Sequence, residues 1–233
     1  MKHEDTRPLV GIFGGGFNPP HLGHMRLAVE VLEALSPLRL DFLPTAVPPH
    51  KGGRQILPFD LRVAMLESAI RGIPALAVNP LENERGGPSY TADTLRIYRE
   101  REPECRHFFI LGAEDFAVIR TWHEWRVLPE LADLVIVPRA GSEVEVFMET
   151  VRHSWPEAEP ASPAHLPADA LYLMPEEKGG GRILHLPLPR LDIRAELVRE
   201  RYLAGRSVRF LVPESVELLL REHRDARTYW QSR

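Results

Sequence analysis

Gly11-Ile12-Phe13-Gly14-Gly15-Gly16-Phe17-Asn18-Pro19-Pro20-His21-Leu22-Gly23-His24 is the stretch on which the reading of this chain turns. It continues an apolar run begun by Leu9 and Val10. It precedes apolar residues at Met25, Ala28, Val29, Leu32 and Leu35 in helical spacing. The order is strand, glycine turn, helix. Glycines let backbone amides approach an anion closely, and a helix start presents unpaired N–H groups with partial positive charge. His21 and His24, three apart, share a helix face if the first turn includes both. Amides plus a pair of imidazoles describe a phosphate site.

Other glycine signatures fit less well. A dinucleotide-type GxGxxG fails because Pro19 stands where the third glycine should be. A GxxxxGK[ST] loop is absent from the chain. Two histidines fall short of a zinc ligand set, and Cys105 is the only cysteine, so no dedicated metal ligands are expected.

Bulk properties bound the rest. A chain of 233 residues can form one large α/β domain with an ample core. Its formal charge of −4 gives no general support for binding nucleic acid or an anionic membrane, so positive charge for phosphates must be local. A single cysteine excludes an intrachain disulfide and fits a cytoplasmic setting. The start, Met1-Lys2-His3-Glu4-Asp5, lacks the apolar stretch of a signal peptide, and no run approaches a membrane span.

Strand-like runs recur at 9–13, 38–43, 76–78, 107–111, 134–137, 171–174 and 183–186. Helical patterns at 22–35, 59–70, 91–100 and 125–131 separate most of them. This alternation predicts a Rossmann-like, doubly wound and mainly parallel sheet with helices on both faces. Ligands of such sheets sit beyond the strands' C-terminal ends, where the opening loop lies. Residues 141–182 hold five prolines and a Gly179-Gly180-Gly181 run. They read as an irregular surface excursion within a single domain, with a helix near Met148, Val151 and Trp155. Two helices follow in a C-terminal segment, residues 188–233. Asp192 is the expected N-cap of the first, and Pro213 the N1 residue of the second.

The opening stretch resembles the GGxF[DN]PxHxGH signature of the nucleotidylyltransferase superfamily, and within it the bacterial nicotinate-nucleotide adenylyltransferases. Further stretches match in the same order: Pro48-Pro49-His50-Lys51, Pro88 to Leu95 (PSYTADTL), Ile110 to Asp115 (ILGAED), Trp122-His123-Glu124-Trp125, and Asp192-Ile193-Arg194 followed by Gly205 to Pro213 (GRSVRFLVP).

That resemblance implies transfer of an adenylyl group from ATP, carrying Mg²⁺, to nicotinate mononucleotide. Nucleic acid and membrane are not among the expected partners, and a homodimer is left open. It assigns His21 and His24 to the α- and β-phosphates, with Lys51 and Arg194 as further catalytic residues. Gly14, Gly15, Gly16, Phe17, Gly112, Glu114, Arg139, Arg190 and Arg194 are implied on the ATP side. Asn18, Lys51, Arg62, Ser89, Tyr90, Thr91 and Trp122 are implied on the acceptor side, with the indole face of Trp122 against the pyridine ring. Amides at the helix start near Ser89 suit a nicotinate carboxylate.

Two departures stand out. The family commonly has Thr or Ser where Gly16 stands. Its C-terminal ISSTxIR, laid on Arg194, becomes Leu188-Pro189-Arg190-Leu191-Asp192-Ile193-Arg194, with both serines gone and Arg190 available to compensate. A sister enzyme using nicotinamide mononucleotide or phosphopantetheine, and a nucleotide-binding protein with little catalysis, are the competing readings.

Overall fold

Eighteen named elements arise from this patterning. The structure is a computed structural model and describes residues 7–48, 56–138, 144–163, 166–223 and 225–231. In chain order they are β1 (Leu9–Gly15), α1 (Leu22–Leu35), β2 (Arg39–Pro44), α2 (Phe59–Ile70), β3 (Leu76–Val78), α3 (Leu81–Arg85), α4 (Thr91–Arg101), β4 (Arg106–Gly112) and α5 (Ala113–Ala117). Then follow α6 (Leu128–Leu131), β5 (Asp133–Val137), α7 (Val144–Ser154), β6 (Glu159–Ala161), β7 (Ala170–Leu173), β8 (Arg182–His185), α8 (Ala195–Leu203), α9 (Glu214–Glu222) and α10 (Ala226–Gln231).

The sheet order is β3-β2-β1-β4-β5-β8-β7-β6. β1 with β4, β4 with β5 and β5 with β8 pair in parallel, while β7 is antiparallel to both β8 and β6. The fold is Rossmann-like α/β, as the alternation predicted.

Contacts divide the chain into two units, each woven from several segments. The first comprises Met1–Phe13, Leu32–Leu40 and Tyr90–Leu188. Within it the buried Asp133 carboxylate accepts from Arg106 Nη2 at 2.7 Å and from Arg182 Nη2 at 2.8 Å, tying together the starts of β4, β5 and β8. Phe116 stacks with Phe147 and with Trp155, giving this unit an aromatic centre.

The second unit comprises Gly14–Val31, Asp41–Ser89 and Pro189–Arg233. Its apolar cluster joins Leu61 and Met65 of α2 to Val198 of α8, Val216 and Leu220 of α9 and Trp230 of α10. Burying side chains of this size contributes roughly 1.5–3 kcal/mol each. The C-terminal helices are thereby packed on α2.

Some local expectations shift. In the expected excursion at 141–182, the helix near Met148 and Val151 is α7, and the strand-like runs at 171–174 and 183–186 are β7 and β8, while β6 is an added strand. Phe147, Val151 and Trp155 make a helix stripe that buries fully, and Leu171, Tyr172, Ile183 and Leu184 supply short apolar runs for the sheet. Asp192 does not cap α8; Arg194 is its N-cap. Pro213 sits one position earlier than expected, as the N-cap residue of α9. The 125–131 pattern divides into a 3₁₀ turn at Trp125–Val127 and α6, with Pro129 in the first turn of α6.

Candidate active site

The opening loop leaves β1 at Gly15 and turns through Phe17 at φ 42° and a cis Asn18–Pro19 bond before α1 begins. Phe17 is 2% exposed and packs edge-on against Phe42 and His24, so it offers the site its backbone rather than its ring. Gly16 is exposed, and a Cβ built on it meets nothing within 4 Å.

The two histidines are coupled by geometry. His21 donates its backbone N–H to His24 Nδ1 at 3.2 Å, and the rings stack with centroids 3.6 Å apart. Because Nδ1 of His24 accepts, its neutral ring carries the proton on Nε2. Burial, then the neighbouring His21, then the positive charge of Arg190 push the His24 pKa well below its ordinary value. His24 is therefore a neutral N–H donor near pH 7. Gly23 lies between the rings and the chain after β8: a Cβ there would stand 3.0 Å from both His21 Nδ1 and the Leu191 carbonyl oxygen.

Several expected ligand residues turn inward. Arg62 is 1% exposed; it donates from Nε to the Leu57 carbonyl at 3.0 Å and from Nη1 to the Gly16 carbonyl at 2.9 Å. Burial lowers its pKa to about 10, opposed by the Glu82 carboxylate, which leaves it charged at neutral pH. Asn18 Oδ1 accepts from the Leu57 N–H and from Trp230 Nε1, both at 3.0 Å. The Asn18 carbonyl accepts from Arg199 Nη1 at 2.8 Å. The loop is thus braced from behind by α2, α8 and α10.

Ser89 is buried, and its hydroxyl accepts from the Ala46 and Val47 N–H groups at 3.1 and 3.0 Å. It anchors the chain after β2 rather than capping α4. Arg190 lies close enough to His24 to depress it, and Arg194 occupies the start of α8.

In the first unit, Tyr90 precedes α4 and its ring stacks on His123 at 4.2 Å, with Thr91 opening the helix. Trp122 is half-buried and meets Phe109 edge-on at 6.5 Å. Gly112 is the extended N-cap of α5, and Glu114 lies exposed in that helix's first turn. Lys51 and Arg139 fall outside the described residues.

Sequence reasoning passed over Arg199, Trp230 and His123. For Arg199 a signal existed. Starting ISSTxIR at Ile193 places Val198-Arg199 on its last two residues, leaving Arg194, Ala195 and Glu196 where hydroxyl residues stand in the pattern. Among the described residues one cluster has metal-ligand spacing, Asp93, His123 and Glu124. Arg96 Nη1 already bonds both of its carboxylates, at 3.2 and 2.6 Å.

Comparison with known proteins matches residues 12–201 to the cytidylyltransferase-like family model. The chain is 41% identical over 206 residues to the "Probable nicotinate-nucleotide adenylyltransferase" of Marinobacter nauticus, covering 88% of this chain and 90% of that one. It is 35% identical over 213 residues to the like-named protein of Geobacillus thermodenitrificans, covering 91% and 83%. Among solved structures, Plasmodium falciparum nicotinic acid mononucleotide adenylyltransferase complexed with NaAD aligns at a TM-score of 0.70. That match is 14% identical and covers 95% of this chain and 98% of that one, a likeness of fold.

Proposed function

The chain belongs to the cytidylyltransferase-like family, and on that premise we propose that it joins nicotinate mononucleotide to the adenylyl group of ATP. The products are nicotinate adenine dinucleotide and pyrophosphate, in NAD biosynthesis. The observation that carries the reading is the stacking of His21 on a neutral, buried His24 at the start of α1, in a chain whose relatives bear that activity in their names.

The acceptor's phosphate oxygen attacks the α-phosphorus in line, a new P–O bond forms, and the bond to the β-phosphate oxygen breaks. No covalent enzyme intermediate is needed, so catalysis is positioning plus charge stabilisation. His24 donates from Nε2 to a phosphate oxygen, helped by His21 and by amides of the Gly14–Gly16 turn. Arg190 supplies fixed positive charge beside His24. Arg62 and Arg199 act from behind, holding the Gly16 and Asn18 carbonyls, while Asn18 Oδ1 ties the loop to the N–H groups of Leu57 and Trp230.

We read Arg199 as the arginine of the C-terminal motif and Arg194 as an added charge at the α8 start. Lys51 and Arg139 keep their expected phosphate and adenosine roles. Trp122 and the Tyr90–His123 stack supply aromatic surface for the pyridine ring, and the α4 start supplies amides for its carboxylate. Mg²⁺ carried by ATP would supply charge neutralisation on the triphosphate, needing few dedicated protein ligands. Among the described residues no helix is long and apolar enough to cross a membrane, and a cytoplasmic location is part of this proposal.

The test is pyrophosphate release from ATP with each candidate acceptor. Nicotinate mononucleotide should exceed nicotinamide mononucleotide and phosphopantetheine by at least about tenfold in kcat/KM, equivalent to about 1.4 kcal/mol. Preference for the amide would overturn the acceptor assignment. ATP binding without release for any acceptor would favour the nucleotide-binding reading.

A further inference from the structure

Within the first unit a cavity of about 300 Å³ opens where the 3₁₀ turn at Trp125, the end of α7 and the turn after β7 meet. It shares no residue with the site described above. Its size falls at the lower end of small-molecule pockets.

Three features give it chemistry. Arg126 lies over the Trp125 ring at 4.5 Å from the centroid and Arg120 at 5.9 Å. Among the described residues neither guanidinium has a carboxylate partner, whereas Lys178 has Glu157 at 3.7 Å. Ser154 is 5% exposed, lines the cavity and leaves its hydroxyl without a hydrogen-bond partner. A buried hydroxyl in that state is unfavourable unless a ligand or water completes it.

The walls are also held in place. Trp155, 1% exposed, donates its indole N–H to the Arg126 carbonyl at 3.0 Å. The turn carrying Lys178 sits so close to the chain before β5 that a Cβ on Gly181 would stand 1.7 Å from the Pro129 carbonyl oxygen. Only glycine allows that approach.

We propose that this cavity binds a small sugar phosphate. Arg120 and Arg126 take the phosphate, for which paired guanidiniums are suited. The Glu130 carboxylate and the Ser154 hydroxyl take sugar hydroxyls, and the Trp125 edge covers the sugar's apolar face. Two carboxylates against three fixed cations disfavour a bare polyanion and favour one phosphate joined to a polyol.

The chain's four tryptophans make a direct test. Protein labelled with 5-fluorotryptophan is titrated with ribose 5-phosphate in the presence of saturating ATP and Mg²⁺, following the ¹⁹F resonances. The Trp125 signal should move saturably, with half-saturation at or below about 1 mM, and ribose alone should not move it. The double variant Arg120→Ala/Arg126→Ala should weaken the response at least about tenfold while the Trp155 and Trp230 signals stay in place, showing that the fold is kept. Ser154→Ala should weaken it a few-fold. An equal response to inorganic phosphate would overturn the sugar phosphate assignment. A Trp125 signal unmoved at about 10 mM, or moved equally in the double variant, would overturn the site.

Discussion

The backbone N–H of His21 donates to Nδ1 of His24 at 3.2 Å, and this one bond decides what the second histidine can do. It holds Nδ1 as an acceptor and leaves the proton on Nε2, the outward donor that a phosphate oxygen needs. Burial and the nearby positive charges keep the ring neutral, so it donates without a change of charge.

Replacing His24 with Ala should lower kcat for pyrophosphate release by about 10²-fold or more, the usual cost of removing one preorganised donor. Far-ultraviolet circular dichroism should be unchanged. A fall of less than about fivefold would remove His24 from the mechanism.

The depressed pKa of His24 carries a sign for stability. Below the ordinary histidine value the unfolded chain takes up a proton that the folded chain refuses, so stability rises with pH in that window. It is therefore lost as pH falls from about 6.5 toward the lower folded value. His107 and His185, both depressed chiefly by burial, act in the same direction. Denaturant unfolding at a series of pH values should show His24→Gln losing less stability on acidification than the parent does.

Two glycines of the loop should respond oppositely. Gly16 has open space at its Cβ position, so Gly16→Ser should leave stability within about 0.5 kcal/mol and should lower KM for ATP by supplying a hydroxyl. Gly23→Ala drives a methyl against the Leu191 carbonyl and the His21 ring, and should reduce kcat/KM about tenfold or more. Steady-state kinetics on both variants decide the matter.

Asn18 joins three distant pieces of chain. Asn18→Ala leaves the Leu57 and Trp230 N–H groups without their acceptor and should destabilise the fold by about 1–3 kcal/mol. Trp230→Phe keeps the ring and removes the donor. In a double-mutant cycle the two should couple by at least about 0.5 kcal/mol. Strict additivity would mean the bond contributes nothing.

Arg190→Ala should raise KM for ATP about tenfold and also move the His24 pKa upward, because one of its depressing charges is gone. Proton NMR titration of the ring reads the second effect independently of turnover. Unaltered ATP kinetics together with an unmoved His24 pKa would discard the compensation idea.

Much of the architecture was legible because it is written in short periods. The helices at 22–35 and 59–70 and the strand at 76–78 occupy the spans their apolar spacing predicted. The glycine turn with HxGH is equally local. Within 141–182 the helix and the strand at 171–174 were legible, but β6 was not, because Glu159–Ala161 carries a proline and no apolar run and is a strand only through its pairing with β7. Arg199 was passed over because the motif's arginine was laid on Arg194, and its bond to the Asn18 carbonyl spans 181 residues.

What the sequence by itself determined is the order of strands and helices and the composition of the opening loop, because both follow from periodicity and from residues adjacent in the chain. What only the tertiary structure decided is how the loop is held and charged. Arg199 and Trp230 reach Asn18 across 181 and 212 residues. Arg62, a charged residue read as a ligand, is enclosed and turned onto two carbonyls. The neutral state of His24 rests on burial and on Arg190. Desolvation and long-range closure depend on which surfaces meet in space, and no local pattern of residues encodes that.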